Sequence, residues 1–169
     1  MKRLLRAILA LGSALLAVGC DQQGRPIEQF GLEKLGRGVS TESDVRTVMG
    51  QPDTVWEEEG GARSLEYPKG PAGHRTWVFA IGSDGKLTDY QQVLTEENFA
   101  KIKPGISRDT VRKMLGKPRS VVRFGLKNEE VWDWLYLRSG NEPWLFNVHF
   151  DIGSGNVTQI SSSDPALAP

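Results

Sequence analysis

A catalytic base must lie within hydrogen-bond reach of the proton it takes, and the chain offers two histidines for that role. His74 stands beside the Pro/Gly-rich stretch 68–73 and reads as a solvated loop residue. His149 alternates with Val148 and Phe150 in a strand pattern, so it reads as a surface strand residue rather than a general base. No serine lies in a nucleophile elbow, and neither H-E-x-x-H nor a paired C-x-x-C occurs. Glu57-Glu58-Glu59 could attract a cation, but the ligand spacing of a calcium loop is missing and the run reads as a solvated hairpin end. Gly82-x-x-Gly85 and Gly153-x-Gly155 are turn glycines with no helix after them, so they do not form phosphate loops. Together these residues point away from an enzyme and call for no cofactor or metal.

One reactive atom remains, the sulfur of Cys20, the single cysteine. Lys2, Arg3 and Arg6 precede an apolar run over 7–18, which has the length of a signal peptide and is too short to span a bilayer. Leu16-Ala17-Val18-Gly19-Cys20 then resembles the lipobox read by the lipoprotein signal peptidase. Cleavage would leave 150 residues starting at an acylated Cys20, so membrane lipid is one expected partner. Loss of three basic residues leaves 18 Lys and Arg against 21 Asp and Glu, a net charge of about −3. That balance argues against nucleic acid, whose phosphates need clustered positive charge.

The elements that position these residues come in two sets. Ser107 can cap a short helix whose apolar stripe is Val111, Met114 and Leu115, with Gly116 and Pro118 as its stop. The same pattern occurs over 41–52: Val45 and Val111, Arg46 and Arg112, Gly50 and Gly116, and Pro52 and Pro118 are each 66 positions apart. Gly50 and Gly116 are read as helix stops at positive φ. Each half shows a helix before this motif (27–36 and 95–102) and strand patterns after it. The strands fall over 54–58, 62–67, 75–81 and 87–94, then over 120–124, 130–138, 144–151 and 156–161.

The resulting layout is a signal peptide over 1–19, a tether over 20–26, units over 27–94 and 95–161, and a disordered tail over 162–169. The fold class is α+β, with helices on one face of an antiparallel sheet. No linker separates the strand ending at Leu94 from the helix opening at Thr95, so one continuous sheet is expected. Alternation places Trp132, Trp134 and Tyr136 with Trp144, Phe146, Val148 and Phe150 under the helices. The same logic buries Trp77, Phe79 and Ile81 and exposes Thr76, Val78 and Ala80. The opposite, helix-free face then carries Val131, Leu135, Leu137, Leu145 and His149, and a contiguous apolar group of that kind is the expected partner-binding surface.

Ile102-x-x-Gly105-Ile106-Ser107, Val111, Leu115-Gly116-x-Pro118, Trp132-x-Trp134-x-Tyr136, Val148-x-Phe150 and Gly155-x-Val157, behind a lipobox, resemble the SmpA/OmlA (BamE-like) lipoprotein family. The resemblance implies a fold like that of the β-lactamase-inhibitor proteins. It also implies a non-catalytic adaptor on the periplasmic face of the outer membrane, contacting lipid and other subunits of the β-barrel assembly machine or another envelope protein. The chain departs from the family in having two units instead of one. In addition, Asp21 after the lipid cysteine resembles an inner-membrane retention signal. The other reading the fold allows is a proteinaceous inhibitor or ligand-sensing module.

Overall fold

The structure, a computed structural model, describes residues 31–69, 73–139 and 141–167. The leader, the tether and Cys20 therefore lie outside the described residues. The chain divides into two compact units, Met1–Leu35 and Gly36–Pro169. In the first, the described part is a single 3-10 turn, Leu32–Lys34. Gly31 enters it at φ 101°, a conformation that interrupts a right-handed helix, so the helix expected over 27–36 does not run through this point.

Among its described residues the second unit holds three α-helices: α1 (Glu42–Met49), α2 (Glu96–Phe99) and α3 (Arg108–Leu115). α1 starts at a capping box, in which the Thr41 hydroxyl accepts from Asp44 N and the Asp44 carboxylate accepts from Thr41 N. At α3 the Ser107 hydroxyl accepts from Thr110 N. Both helices stop as expected, at Gly50 (φ 83°) and Gly116 (φ 76°), whose N–H groups donate to the carbonyls of Arg46 and Arg112.

The strands form two four-stranded antiparallel sheets, so the class is α+β as expected. The first contains β1 (Thr54–Glu57), β2 (Arg63–Pro68), β3 (Thr76–Ile81) and β4 (Leu87–Gln92), in that order. The second contains β5 (Ser120–Phe124), β6 (Glu129–Arg138), β7 (Glu142–Asp151) and β8 (Val157–Ser163), again in order. The expected continuous sheet is thus replaced by two. The reason is α3, which stands between them: Arg112 reaches Glu66 on β2, while the carbonyl of Gly116 accepts from the Trp134 indole on β6.

Each sheet packs differently. Tyr67 and Leu65 share one face of β2, and the Tyr67 hydroxyl donates to Gly50 O, which sets the end of α1 on that face. Val45, Leu65, Phe79, Ile81 and Leu87 are all buried. The other face was expected to be open along Thr76, Val78 and Ala80. Instead Thr76 is buried and Val78 packs against the second core, because α3 covers it. That second core joins Val111 and Leu115 of α3 to Trp134, Tyr136, Phe146, Val148 and Phe150. Most of the aromatic rows of β6 and β7 are therefore interior, as their alternation with polar residues implied, while Trp132 and Trp144 pack against this core only partly buried. Residues 162–167, expected as a disordered tail, instead complete β8 through Ser163 and form a 3-10 turn, Pro165–Leu167.

Candidate partner-binding face

β6 and β7 pair residue for residue from Glu129↔Asp151 to Arg138↔Glu142. This register sets Val131 beside His149, Asp133 beside Asn147, Leu135 beside Leu145 and Leu137 beside Pro143 on the face away from α3. β8 extends the rows by placing Gln159 beside His149, Ser161 beside Asn147 and Ser163 beside Leu145.

The structure brings the five anticipated residues onto one face but does not expose all of them. Val131, Leu135, Leu137 and His149 are partly exposed. Leu145 is not, at 1% exposure. It pairs with both Leu135 and Ser163, and the turn Pro165–Leu167 returns onto β7. The segment expected to fray thus pairs, at Ser163, beside the residue expected to be open.

The middle of the face is a polar chain. His149 Nδ1 lies 2.9 Å from Glu129 Oε1, and Nε2 lies 3.0 Å from Ser161 Oγ. Asn147 Nδ2 donates to Ser161 Oγ (3.3 Å) and Ser163 Oγ (3.0 Å). Serine, imidazole and carboxylate in this order have the spacing of a nucleophile, its base and the base's orienting group. The chain nevertheless lies flat on a sheet, and Ser161 Oγ is occupied by Asn147 as well as His149. Its effect is to hold three strands in register. Ser161, Glu129 and Asn147 were not singled out in the sequence. Period-2 alternation put Asn147 and His149 on one face, but the partners on β6 and β8 depend on register.

Two acidic side chains of β6 tie it to β5. Asp133, buried, accepts from Arg119 and Ser120. Glu130, on the α3 side, is buried and accepts from Trp132 Nε1 (2.8 Å) and Arg123, with Arg108 at 3.2 Å. Burial pushes the Glu130 carboxyl up, but the bonds from Arg123 and Trp132 and the charge of Arg108 outweigh it and hold it below its ordinary 4.5.

Beside the two helix stops lies a cleft of about 480 Å³ bounded by Met49, Gln51, Tyr67, Lys69 and Lys117. Two of its cations are already engaged, Lys117 with Asp53 (2.9 Å) and Arg119 with Asp133. His74 lies at a second cleft of about 430 Å³, with Arg75, Gln92 and Arg138. Among the described residues no three His, Cys, Asp or Glu side chains converge as a metal site.

Residues 92–160 match the family model of the outer membrane protein assembly factor BamE domain. No curated protein matches the chain. Among solved structures, a candidate β-lactamase inhibitor protein from Streptococcus mutans is 12% identical, with 74% of this chain and 83% of that one covered and a TM-score of 0.30. A DUF4309 family protein from Bacillus subtilis is 17% identical over 76% of this chain and 81% of that one, with a TM-score of 0.29. At these values nothing of their activity carries over.

Proposed function

Because residues 92–160 form a domain of the BamE/SmpA-like family, we propose that the chain is a non-catalytic adaptor in outer-membrane β-barrel protein assembly. It is held at the periplasmic face of the outer membrane by lipid on Cys20, after removal of residues 1–19. Residues 20–26 form a tether that spans at most about 20–25 Å, which keeps the folded part near the bilayer. Its partner is another subunit of the assembly machine. The family match is the observation that carries this reading. A sheet face offering partly exposed apolar side chains beside a fixed polar chain fits an adaptor better than a catalyst.

Within the second half, the docking residues are Val131, Leu135, Leu137 and His149, with Leu145 supporting them from beneath. Leu135→Glu and Leu137→Glu should weaken co-purification of the assembly subunits after mild detergent extraction while leaving the fold intact. Leu145→Glu should instead unfold the protein, since it would bury a carboxylate without a partner. Extraction that recovers no assembly subunit with the unaltered chain would overturn the reading. Cys20→Ser should abolish incorporation of labelled palmitate, and label retained at the unaltered level would remove the anchor.

A further inference from the structure

Among the described residues, the two most exposed large apolar side chains are Leu126, which is fully exposed, and Val39, at 78%. The fold demands neither, because the repeat supplies a copy of each place without it. Leu126 is the middle residue of the 3-10 turn Gly125–Lys127 between β5 and β6, and the turn Glu59–Gly61 between β1 and β2 has Gly60 there. Val39 stands between two residues bonded to β4: Gly38 N donates to Leu87 O, and Leu87 N donates to Ser40 O. In the second half Gly105 N donates to Val157 O and Val157 N to Ile106 O, so the same bridge closes with no residue between.

Both side chains lie at one end of the second unit. Glu57 pairs with Arg63, and Arg63 with Ile81, so the turns after β1 and β3 lie together. Leu87, opposite Ile81, brings Val39 to them. Phe124 pairs with Glu129, and Glu129 with Asp151, which groups Leu126 with the turn over 152–155. α3 relates the two sheets. Its first residue, Arg108, donates from N to Gly155 O and lies 3.2 Å from Glu130, while Gly116 O at its stop accepts from Trp134. The helix thus runs along β6 away from Leu126. On its other side Lys113 meets Glu58 at 2.7 Å, and Lys117 N donates to Glu66 further along, so it also runs away from the turn after β1. The chain enters the second unit at this same end, where Gly36 O accepts from Ser40 N.

We propose that Leu126 and Val39 dip into the bilayer that holds Cys20, so that this end of the fold rests on lipid. The inference builds on the acylated Cys20 of the proposed function. The chain arrives at this end from Cys20, whereas the turn after Arg138 lies a strand length away, about 30 Å. Shape also favours lipid. The two side chains stand on turns of different sheets, with the exposed charges Glu59 and Lys86 on the turns beside them. A fluid surface takes up separate apolar pegs, while a folded partner must offer each a matched pocket. The flanks of Leu126 suit the same surface: Phe124 is 41% exposed, Lys127 Nζ lies 5.7 Å over its ring, and the Arg123 side chain is exposed. Long basic side chains of this kind lay their stems along apolar groups and carry their charge to the headgroups. Two apolar residues would not retain a free protein at a membrane, but an anchor on the same chain makes their insertion intramolecular.

The sulfur of an acylated Cys20 is a thioether and takes no maleimide, so an introduced cysteine can be labelled alone. Leu126→Cys, Val39→Cys and Ser139→Cys variants of the full-length chain test the contact. Each is extracted in detergent, labelled with a polarity-sensitive fluorescent maleimide and reconstituted into phosphatidylcholine vesicles. Emission from positions 126 and 39 should move to shorter wavelength and be quenched by nitroxide-bearing lipid. Emission from 139, in the turn after β6, should do neither. Equal behaviour at all three positions overturns the proposal, as does a change at 126 that needs added assembly subunits. Leu126→Asp should remove most of the quenching at Val39→Cys, and unchanged quenching overturns the shared contact. Label taken up by the unaltered chain would remove the anchor and this contact with it. An unaltered chain that takes no label, with no change at 126, removes the bilayer contact alone.

Discussion

The two copies of the helix motif share their residues and differ in what those residues hold. Arg46 of α1 turns back onto Glu42 of its own helix, four residues away, at 2.7 Å. Arg112, 66 positions on, leaves its helix and meets Glu66 at 2.6 Å, across 46 residues of chain. Glu66 is 1% exposed and also accepts from Trp56 Nε1 (3.1 Å) and Lys117 N (2.8 Å), while Arg112 lies over the Trp56 ring. The first copy thus secures its own helix, and the second ties one sheet to the other. What differs is the surroundings: α3 has a sheet on either side, so its arginine meets a buried carboxylate on β2, where that of α1 meets a partly exposed one on its own helix.

The largest effect expected from breaking this symmetry is at the arginines. Arg112→Ala should cost about 3–5 kcal/mol in denaturant unfolding, because it leaves a buried carboxylate short of its charge partner. Arg46→Ala should cost under about 1 kcal/mol, as for helix pairs near the surface. Similar losses at the two sites would remove the distinction. Thermal unfolding of the unaltered protein should be one transition, since the tie makes the stability of each sheet depend on the other.

The glycines come next. A side chain at Gly50 meets open space and bears only the cost of positive φ, about 1–2 kcal/mol for Gly50→Ala. A Cβ at Gly116 would also lie 2.7 Å from Thr76 Cγ2 and 3.0 Å from Glu66 Oε1. Gly116→Ala should therefore lower the melting temperature clearly more than Gly50→Ala. Equal shifts would show that the close approach at Gly116 relaxes freely.

The caps should not discriminate at all. Thr41→Ala and Ser107→Ala each remove one acceptor for a helix N–H and should cost about 1 kcal/mol apiece. A much larger loss at Ser107 would place its role outside the helix end.

The smallest expected effect is pH-dependent. The bond from Lys117 holds the Asp53 carboxyl below its ordinary 3.8, and the bond from Lys113 holds Glu58 below its ordinary 4.5. With folded values depressed, each pair stabilises fully above those ordinary values and loses its contribution as pH falls through the lower folded ones. Both pairs link α3 or its end to the first sheet and are partly exposed, so each contributes under about 1 kcal/mol. Lys113→Ala with Lys117→Ala should flatten the loss of stability on acidification below about pH 4.5. An unchanged acid slope would mean that other carboxylates set it.

What the sequence determined by itself was local or periodic. The Thr41 and Ser107 caps, the stops at Gly50 and Gly116 and the aromatic rows of β6 and β7 all follow from residues within a few positions of one another. There the 3.6- and 2-residue periods and the glycine conformation act directly. Only the tertiary structure decided that two sheets form instead of one, that α3 closes the face carrying Thr76 and Val78, and that Leu145, between β6 and β8, is buried. It also chose Glu66 for Arg112 and Ser161 and Glu129 for His149. Those outcomes depend on which distant surfaces meet, and the spacing of residues along the chain carries no record of a partner 46 or 20 positions away. The two copies of one motif diverge for the same reason: each helix carries the same instructions, but only α3 is packed between two sheets.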